Sequence, residues 1–226
     1  MKYFFFALAT ISIHFAVNAQ IPIDNLLLHM PFNGNAIDET GNGNNGTVNG
    51  PNLTMDRFGN ANSAYAFDGV DDRIDILNSN LAPDNSVTVN YWVAPGNNWD
   101  NQSDHQVMFQ SDITGDVNGH FILGINRSNC YSDPNTNDGK INFELQGDFV
   151  NNNSTVCNAF GLTRVGTTTN TWIANTWYMI TAIVIEGEIK IYVNGQFEDS
   201  HPCTSSLFVN GLGITLGLYD PPQHTS

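Results

Sequence analysis

Residues 26–76 decide the fold, and they read LLLHMPFNGNAIDETGNGNNGTVNGPNLTMDRFGNANSAYAFDGVDDRIDI. Short apolar runs alternate in this stretch with asparagine–glycine pairs, at Asn33-Gly34, Asn45-Gly46 and Asn49-Gly50. Asparagine and glycine tolerate the positive φ angles of tight turns, so these pairs mark turns between antiparallel strands. The stretch therefore predicts a series of short strands joined by turns.

The rest of the chain continues this pattern, and no helix-length window shows a 3.6-residue period. Alternating apolar residues place one face of a strand on a core and the other face in solvent. Ile183 and Val193 are expected in the core, on the hairpin that WYMITAIVI and EIKIYV form. The candidate strands are residues 26–32, 47–48, 64–67, 73–77, 86–93, 106–110, 120–125, 140–145, 162–165, 177–185, 188–193 and 213–216.

Three sequence blocks occur in an order that points to one family. The first block consists of PFNGNAIDETGNGNNGT and, after a short gap, DRFGNANSAYAFDGVDDRI. The second is SVTVNYWVAP, and the third is WYMITAIVIEGEIKIYVNG. In this order they resemble the LamG-like jelly-roll domains of the concanavalin A-like lectin/glucanase superfamily. The resemblance implies an all-β, concanavalin A-like fold, in which two antiparallel sheets pack face to face as a jelly-roll sandwich.

One element of the family pattern is missing from this sequence. The family's last strand, which reads like GxIDEVRIY and pairs near the first strand, has no counterpart after Leu218. We therefore expect either a domain that is truncated at its C-terminus or a sheet edge that is closed in another way. An unpaired first strand at residues 26–32 would expose a strand edge.

The first residues have the form of a secretory signal peptide. Lys2 supplies a positive charge, residues 3–17 are largely apolar, and the small residues Val17 and Ala19 flank a cleavage site before Gln20. The apolar run is too short for a membrane-spanning helix. The sequence thus predicts a signal peptide over residues 1–19, a LamG-like domain over 20–226, and a protein that is secreted or displayed at the cell surface without membrane insertion.

Charge limits the possible partners. The chain has 22 acidic and 7 basic residues, and its net charge is −15. Nucleic acids and anionic membranes attract basic surfaces, so this composition argues against both of them as partners.

The three cysteines, Cys130, Cys157 and Cys203, have no spacing typical of a zinc site. In an exported chain they predict one disulfide and one remaining thiol, and all three pairings stay open.

A calcium site is predicted in the segment DETGNGN, residues 38–44. The candidate ligands are Asp38, Asn42 and Asn44, because calcium prefers six to eight oxygen ligands and the glycines allow a tight loop. Resembling domains often hold a structural Ca²⁺ at this end of the sandwich. Asn49 stands where an EF-hand would need its glutamate, so an EF-hand is rejected. The alternative is a turn in which Asp38 accepts hydrogen bonds from nearby backbone amides.

The four tryptophans separate into two groups. Trp92 and Trp177 lie in strand patterns and are expected in the core. Trp99 and Trp172 lie in polar segments, GNNWDNQ and TTTNTWIANT, where an exposed ring can stack on a sugar. Together with Asp100 and Asn101, which offer partners to sugar hydroxyls, they form the predicted ligand site.

These features predict a secreted, non-catalytic, lectin-like module that binds a polysaccharide or other glycan and belongs to a larger adhesin or polysaccharide-degrading protein. The first alternative is a module that binds proteins and has no sugar site. The second is a glycanase or polysaccharide lyase. A glycanase on this sandwich needs closely spaced carboxylates on one strand face, and the nearest pattern, Glu186-Gly187-Glu188, spans a turn.

Overall fold

The computed structural model describes residues 24–77, 86–97, 106–111, 121–125, 139–146, 162–185, 187–202 and 213–217. Their regular structure is entirely β. The strands are β1 Thr47–Asn49, β2 Asn52–Thr54, β3 Ala64–Ala66, β4 Arg73–Ile76, β5 Val87–Val93, β6 Gln106–Ser111, β7 Phe121–Ile125, β8 Ile141–Gln146, β9 Leu162–Gly166, β10 Tyr178–Ile185, β11 Glu188–Val193, β12 Gln196–Pro202 and β13 Ile214–Leu216.

The strands form two large sheets and one small hairpin. The order is β1-β4-β13-β6-β7-β8-β9 in a seven-stranded sheet and β12-β11-β10-β5 in a four-stranded sheet. The strands β2 and β3 pair with each other, and the turn that connects them carries residues 55–63. The described pairings are all antiparallel, as the resemblance to a jelly roll predicts.

The core lies between the two large sheets. Leu123, Ile141 and Phe143 from the seven-stranded sheet belong to the same buried cluster as Ile189 and Ile191 from the four-stranded sheet. These side chains have no accessible surface, and each such burial contributes roughly 1.5–3 kcal/mol to folding. The inner faces of the two sheets therefore hold the sandwich together, and the expected all-β sandwich is confirmed.

In the hairpin of β10 and β11, the side chains of β10 that point to the core are not the ones that the sequence predicted. Ile180, Ala182 and Val184 are buried, so Ile183 points to the outer face of the four-stranded sheet and is only half-buried. The predicted core position of Ile183 is therefore wrong, whereas that of Val193 is confirmed. The apolar run from Ile183 to Ile185 hid the alternation, because apolar residues there occupy both faces.

The first predicted strand, residues 26–32, pairs with no described strand. Its backbone is instead bound by the next loop, where Glu39 N donates to His29 O. Phe32 has a φ of 60°, which ends the extended conformation. The side chains of Leu27, Leu28 and Met30 still pack against the core cluster, so the segment covers the core without joining a sheet.

The four-stranded sheet ends at β5. Among the described strands, β5 pairs with β10 alone, and its other side is a sheet edge. The apolar side chains on its inner face, Val87, Val89, Tyr91 and Val93, pack against the core cluster but are only partly buried.

Ile191 points to the core and Ile183 to the outer face, so the two residues test which face of each strand is buried. We expect Ile191→Ala to lower the free energy of unfolding by roughly 2–5 kcal/mol, because it leaves a cavity in the core. The matched variant Ile183→Ala, on the outer face of the neighbouring strand, should cost clearly less. Urea unfolding followed by tryptophan fluorescence measures both, and equal costs would contradict the assigned faces.

Candidate functional site

Asp38 is the centre of the N-terminal turn, and the residue is only 5% exposed. Its Oδ1 accepts hydrogen bonds from His29 N at 3.1 Å and from Thr40 N at 3.0 Å. Its Oδ2 accepts one from Asn44 N at 3.1 Å, and the Thr40 hydroxyl donates to Oδ1 at 2.7 Å. Burial alone would raise the pKa of Asp38, but these donors outweigh burial and lower the pKa.

The other two predicted calcium ligands turn amide hydrogens toward the N-terminal segment. Asn42 Nδ2 lies 3.1 Å from both Leu26 O and Leu27 O, and Asn44 Nδ2 lies 3.0 Å from Leu27 O. Asp38, Asn42 and Asn44 are thus brought together, but as hydrogen-bonding residues that tie residues 26–32 to the loop.

This arrangement matches the alternative of a turn capped by Asp38. A calcium ion at the same place would have to displace backbone donors from both carboxylate oxygens of Asp38. The calcium site stays a prediction, and the hydrogen bonds by themselves account for the three residues.

A second acidic turn joins β3 to β4. Carboxylate oxygens of Asp68, Asp71 and Asp72 lie within 4.8 Å of one another, the one such cluster among the described residues. Hydrogen bonds explain part of it, because Asp72 Oδ2 accepts from Asp68 N at 2.9 Å and Asp68 Oδ1 accepts from Val70 N at 2.8 Å.

Trp172 does not have the exposure that a sugar-stacking ring requires. Its ring is 6% exposed and belongs to the core cluster. Its Nε1 donates to Gly139 O at 2.6 Å, and its ring meets that of Tyr178 edge-to-face at 4.9 Å. The prediction of an exposed ring at Trp172 is therefore wrong, because the polar residues around it flank a side chain that turns inward.

The other predicted ligand residues, Trp99, Asp100 and Asn101, lie outside the described residues, as do Cys130, Cys157 and Cys203.

Trp92 lies at the surface, whereas the sequence predicted that it lies in the core. It is 39% exposed, and its expected place in the core is wrong. The signal was present in SVTVNYWV: Val87, Val89 and Tyr91 set the inward phase, which leaves Trp92 on the outer face with Asn90.

A guanidinium group lies against the exposed Trp92 ring. The Cζ atom of Arg57 is 4.4 Å from the centroid of the Trp92 ring and 4.2 Å from that of the Phe58 ring. Phe58 itself is 72% exposed. Arg57, Phe58 and Trp92, called here the Trp92 cluster, thus combine two exposed aromatic rings with a cation.

The turn that carries Arg57 and Phe58 is held by Asp56. The Oδ1 atom of Asp56 accepts hydrogen bonds from Phe58 N at 2.8 Å and Asn60 N at 2.9 Å, and Oδ2 accepts one from Asn60 Nδ2 at 2.9 Å. Desolvation opposes ionisation of Asp56, but these hydrogen bonds outweigh it and lower its pKa. The turn between β2 and β3 therefore presents Arg57 and Phe58 in a fixed conformation.

Polar groups stand beside the cluster on the outer face of the four-stranded sheet. Asn90, two residues before Trp92 on the same strand face, donates from Nδ2 to Thr181 Oγ1 at 3.0 Å. Met179 is the register partner of Trp92. An exposed aromatic ring can stack on the apolar face of a sugar. The neighbouring amide and hydroxyl groups can form hydrogen bonds with the hydroxyls of that sugar.

The nearest approach to a glycanase carboxylate pair falls on the turn before β11. Glu186 lies outside the described residues, and Glu188 Oε2 forms an ion pair with Lys190 Nζ at 2.8 Å. The hydrogen bond from Lys190 lowers the pKa of Glu188. A general acid would need a raised pKa, so Glu188 is not placed for that role.

Comparison with known families agrees with this architecture. A laminin G-type family profile, described as concanavalin A-like lectin/glucanases superfamily, matches residues 67–218. The chain belongs to this superfamily. No curated protein sequence gave a significant match.

Similar solved structures include toxin binding domains and one domain of an enzyme. Domain 4 of an extracellular arabinanase from Geobacillus stearothermophilus, in complex with arabinotriose, has a TM-score of 0.58 at 20% identity, over 87% of this chain and 85% of that domain. The botulinum neurotoxin serotype D binding domain has a TM-score of 0.57 at 21% identity, over 86% of this chain and 44% of the other.

A serotype D/C toxin binding domain has a TM-score of 0.59 at 17% identity, over 89% of this chain and 45% of the other. This chain spans less than half of both toxin domains. At these identities the likeness shows the fold.

Asp38→Asn tests whether this residue acts through hydrogen bonds. We expect it to lower the free energy of unfolding by about 1–3 kcal/mol, because an amide NH₂ would face donors that now point at a carboxylate oxygen. Because the folded-state pKa of Asp38 is lowered, its stabilisation is present above the ordinary value of about 3.9 and is lost as the pH falls through the folded pKa.

The gap between the parent and Asp38→Asn should therefore shrink below about pH 4. Urea unfolding in calcium and in chelator measures it, with Asp71→Asn in the neighbouring acidic turn as the control. A cost that appears in calcium alone would instead make Asp38 a calcium ligand.

Proposed function

We propose that this domain is a secreted, non-catalytic, lectin-like module that binds a polysaccharide through the Trp92 cluster. The observation that carries the proposal is the exposed Trp92 ring, which lies beside the guanidinium of Arg57 on the outer face of a packed sheet. Exposed aromatic rings are costly to hydrate, and a pyranose or furanose ring can cover them while its hydroxyls stay hydrogen-bonded.

The position of the cluster supports this role. Trp92 is on a strand whose register with β10 is continuous from Val87 to Val93, so the ring is held by the sheet itself. Arg57 and Phe58 are held by the Asp56 turn. A site on rigid elements loses little conformational entropy when a ligand binds.

The similar structures support the same class of ligand. The arabinanase domain was solved with arabinotriose, and the toxin domains carry the name of binding domains. Glycan binding without catalysis is in keeping with both.

The binding surface extends, in this proposal, to the predicted residues Trp99, Asp100 and Asn101, which follow Trp92 in the connection after β5. A structural Ca²⁺ near Asp38 is part of the same proposal as a stabilising ion and takes no part in contacting the sugar.

Protein binding without a sugar site is the second candidate. The edge of β5 with which no described strand pairs favours it, because such an edge can accept a strand from a partner.

Trp92→Ala tests the proposed site. We expect it to weaken binding to a polysaccharide such as arabinan by about 1–3 kcal/mol, the value of burying one aromatic side chain, at an unchanged melting temperature. The control is Phe197→Ala, which removes another exposed ring, near the far edge of the same sheet. Affinity electrophoresis across a polysaccharide panel measures both. Equal binding by Trp92→Ala and the parent would remove this site, and no binding by the parent would favour the protein-binding candidate.

The predicted export and cleavage of residues 1–19 are tested by measuring the mass of the secreted protein. We expect the secreted protein to begin at Gln20, because Val17 and Ala19 fit the small-residue positions of a signal-peptide cleavage site. No helix in the described part of the chain is long and apolar enough to cross a membrane. Intact-mass measurement of the extracellular fraction checks the cleavage, and a mature product that keeps residues 1–19 would contradict it.

A further inference from the structure

Arg57 differs in its surroundings from the other cations whose contacts are described. Arg73 forms an ion pair with Asp75 at 3.0 Å, and Lys190 forms one with Glu188 at 2.8 Å. Within the described residues the guanidinium of Arg57 has no ion pair and lies against two aromatic rings. In a chain with 22 acidic and 7 basic residues, a guanidinium that makes no close ion pair among the described residues is unusual.

The neighbouring carboxylate of Asp56 interacts with the charge of Arg57, which helps to lower the pKa of Asp56, but no close ion pair between the two is among the described contacts. Asp56 uses both of its oxygens for hydrogen bonds from Phe58 N, Asn60 N and Asn60 Nδ2 inside its own turn. The contacts of Arg57 with the rings of Phe58 and Trp92 engage the faces of those rings and leave its N–H groups as donors. Guanidinium N–H groups form a planar fork that matches the two oxygens of a carboxylate.

We infer that the Trp92 cluster recognises a carboxylate-bearing sugar, of the uronic acid type, within a polysaccharide that is otherwise neutral. This inference rests on the proposed function and names the ligand class for the same site. The sugar ring stacks on the part of the Trp92 ring that Arg57 leaves exposed, and its carboxylate accepts hydrogen bonds from Arg57. Asn90 stands next to the site for a hydroxyl contact.

Isolated carboxylates are favoured over a dense polyanion for an electrostatic reason. The chain has a net charge of −15, so a polymer with a negative charge on every residue is repelled by the surface around the site. One carboxylate on a neutral chain meets the Arg57 guanidinium at contact distance, where the pair interacts directly. The more distant acidic groups are screened within about 8–10 Å at physiological salt.

The test compares one polysaccharide with and without its charge. The probes are glucuronoxylan, the same polymer after chemical reduction of its carboxyl groups to neutral alcohols, neutral arabinan, and polygalacturonate as the dense polyanion. Binding to the parent, Arg57→Gln, Arg57→Lys and Trp92→Ala is measured by isothermal titration calorimetry at about 0.15 M salt. Melting temperatures check that each variant is folded.

We expect the parent to bind glucuronoxylan roughly tenfold more tightly than the reduced polymer, the size expected for hydrogen bonds to a charged group. Arg57→Gln should lose this preference and bind both polymers equally. Arg57→Lys should keep a part of it, because it retains the charge without the planar fork. Trp92→Ala should weaken binding to both polymers.

The outcomes separate the inference from the function on which it rests. Equal binding of the native and the reduced polymer by the parent would overturn the inference and leave the proposed glycan binding intact. Tighter binding of polygalacturonate than of glucuronoxylan would overturn the restriction to isolated carboxylates. Binding of none of the four polymers would overturn the inference and the proposed function together.

Discussion

Apolar packing between the two large sheets is the constraint on which the rest of the structure depends. Once Leu123 and Phe143 face Ile189 and Ile191, the two-residue period fixes the direction of the side chains along each strand that is paired without a register shift. On β5 the same phase turns Tyr91 inward, so Trp92 must point to solvent. The exposed ring of the candidate site is thus a consequence of the core, and the core cannot change its register without burying that ring.

The turn around Asp38 shows how one residue pattern can serve two structures. Oxygen-bearing residues at alternating positions, with glycines between them, suit both a calcium loop and a turn capped by side chains. In the fold, the carboxylate of Asp38 accepts hydrogen bonds from the backbone amides of His29 and Asn44. Because His29 belongs to residues 26–32, these bonds help to hold that segment over the core. Spacing alone cannot separate these outcomes, because the direction of each amide group is set by the neighbouring segment.

Most of the strands could be predicted from the sequence, since they depend on local alternation and on turns rich in asparagine and glycine. The error at Trp172 falls where the deciding contact is distant in the chain, whereas those at Ile183 and Trp92 have local causes. Trp172 is surrounded by polar residues in sequence, yet its Nε1 bonds to Gly139 O, 33 positions away, and that partner cannot be read from TTTNTWIANT. Trp92 is the opposite case, because the alternation in SVTVNYWV places it on the outer face, whereas the apolar character of its ring favours a core position.

The composition of the Trp92 cluster is best explained by a ligand. Stability alone would favour a buried ring at Trp92 and an acidic partner for Arg57, and a chain so rich in Asp and Glu offers many such partners. Instead the Asp56 turn and β5 together hold two rings and a guanidinium at the surface, while both carboxylate oxygens of Asp56 accept hydrogen bonds inside its own turn. Local departures from the arrangement that best stabilises a fold tend to mark functional sites. A ligand that fits this cluster offers both an anion for the guanidinium and an apolar ring face for the aromatic rings, and a carboxylate-bearing sugar has both.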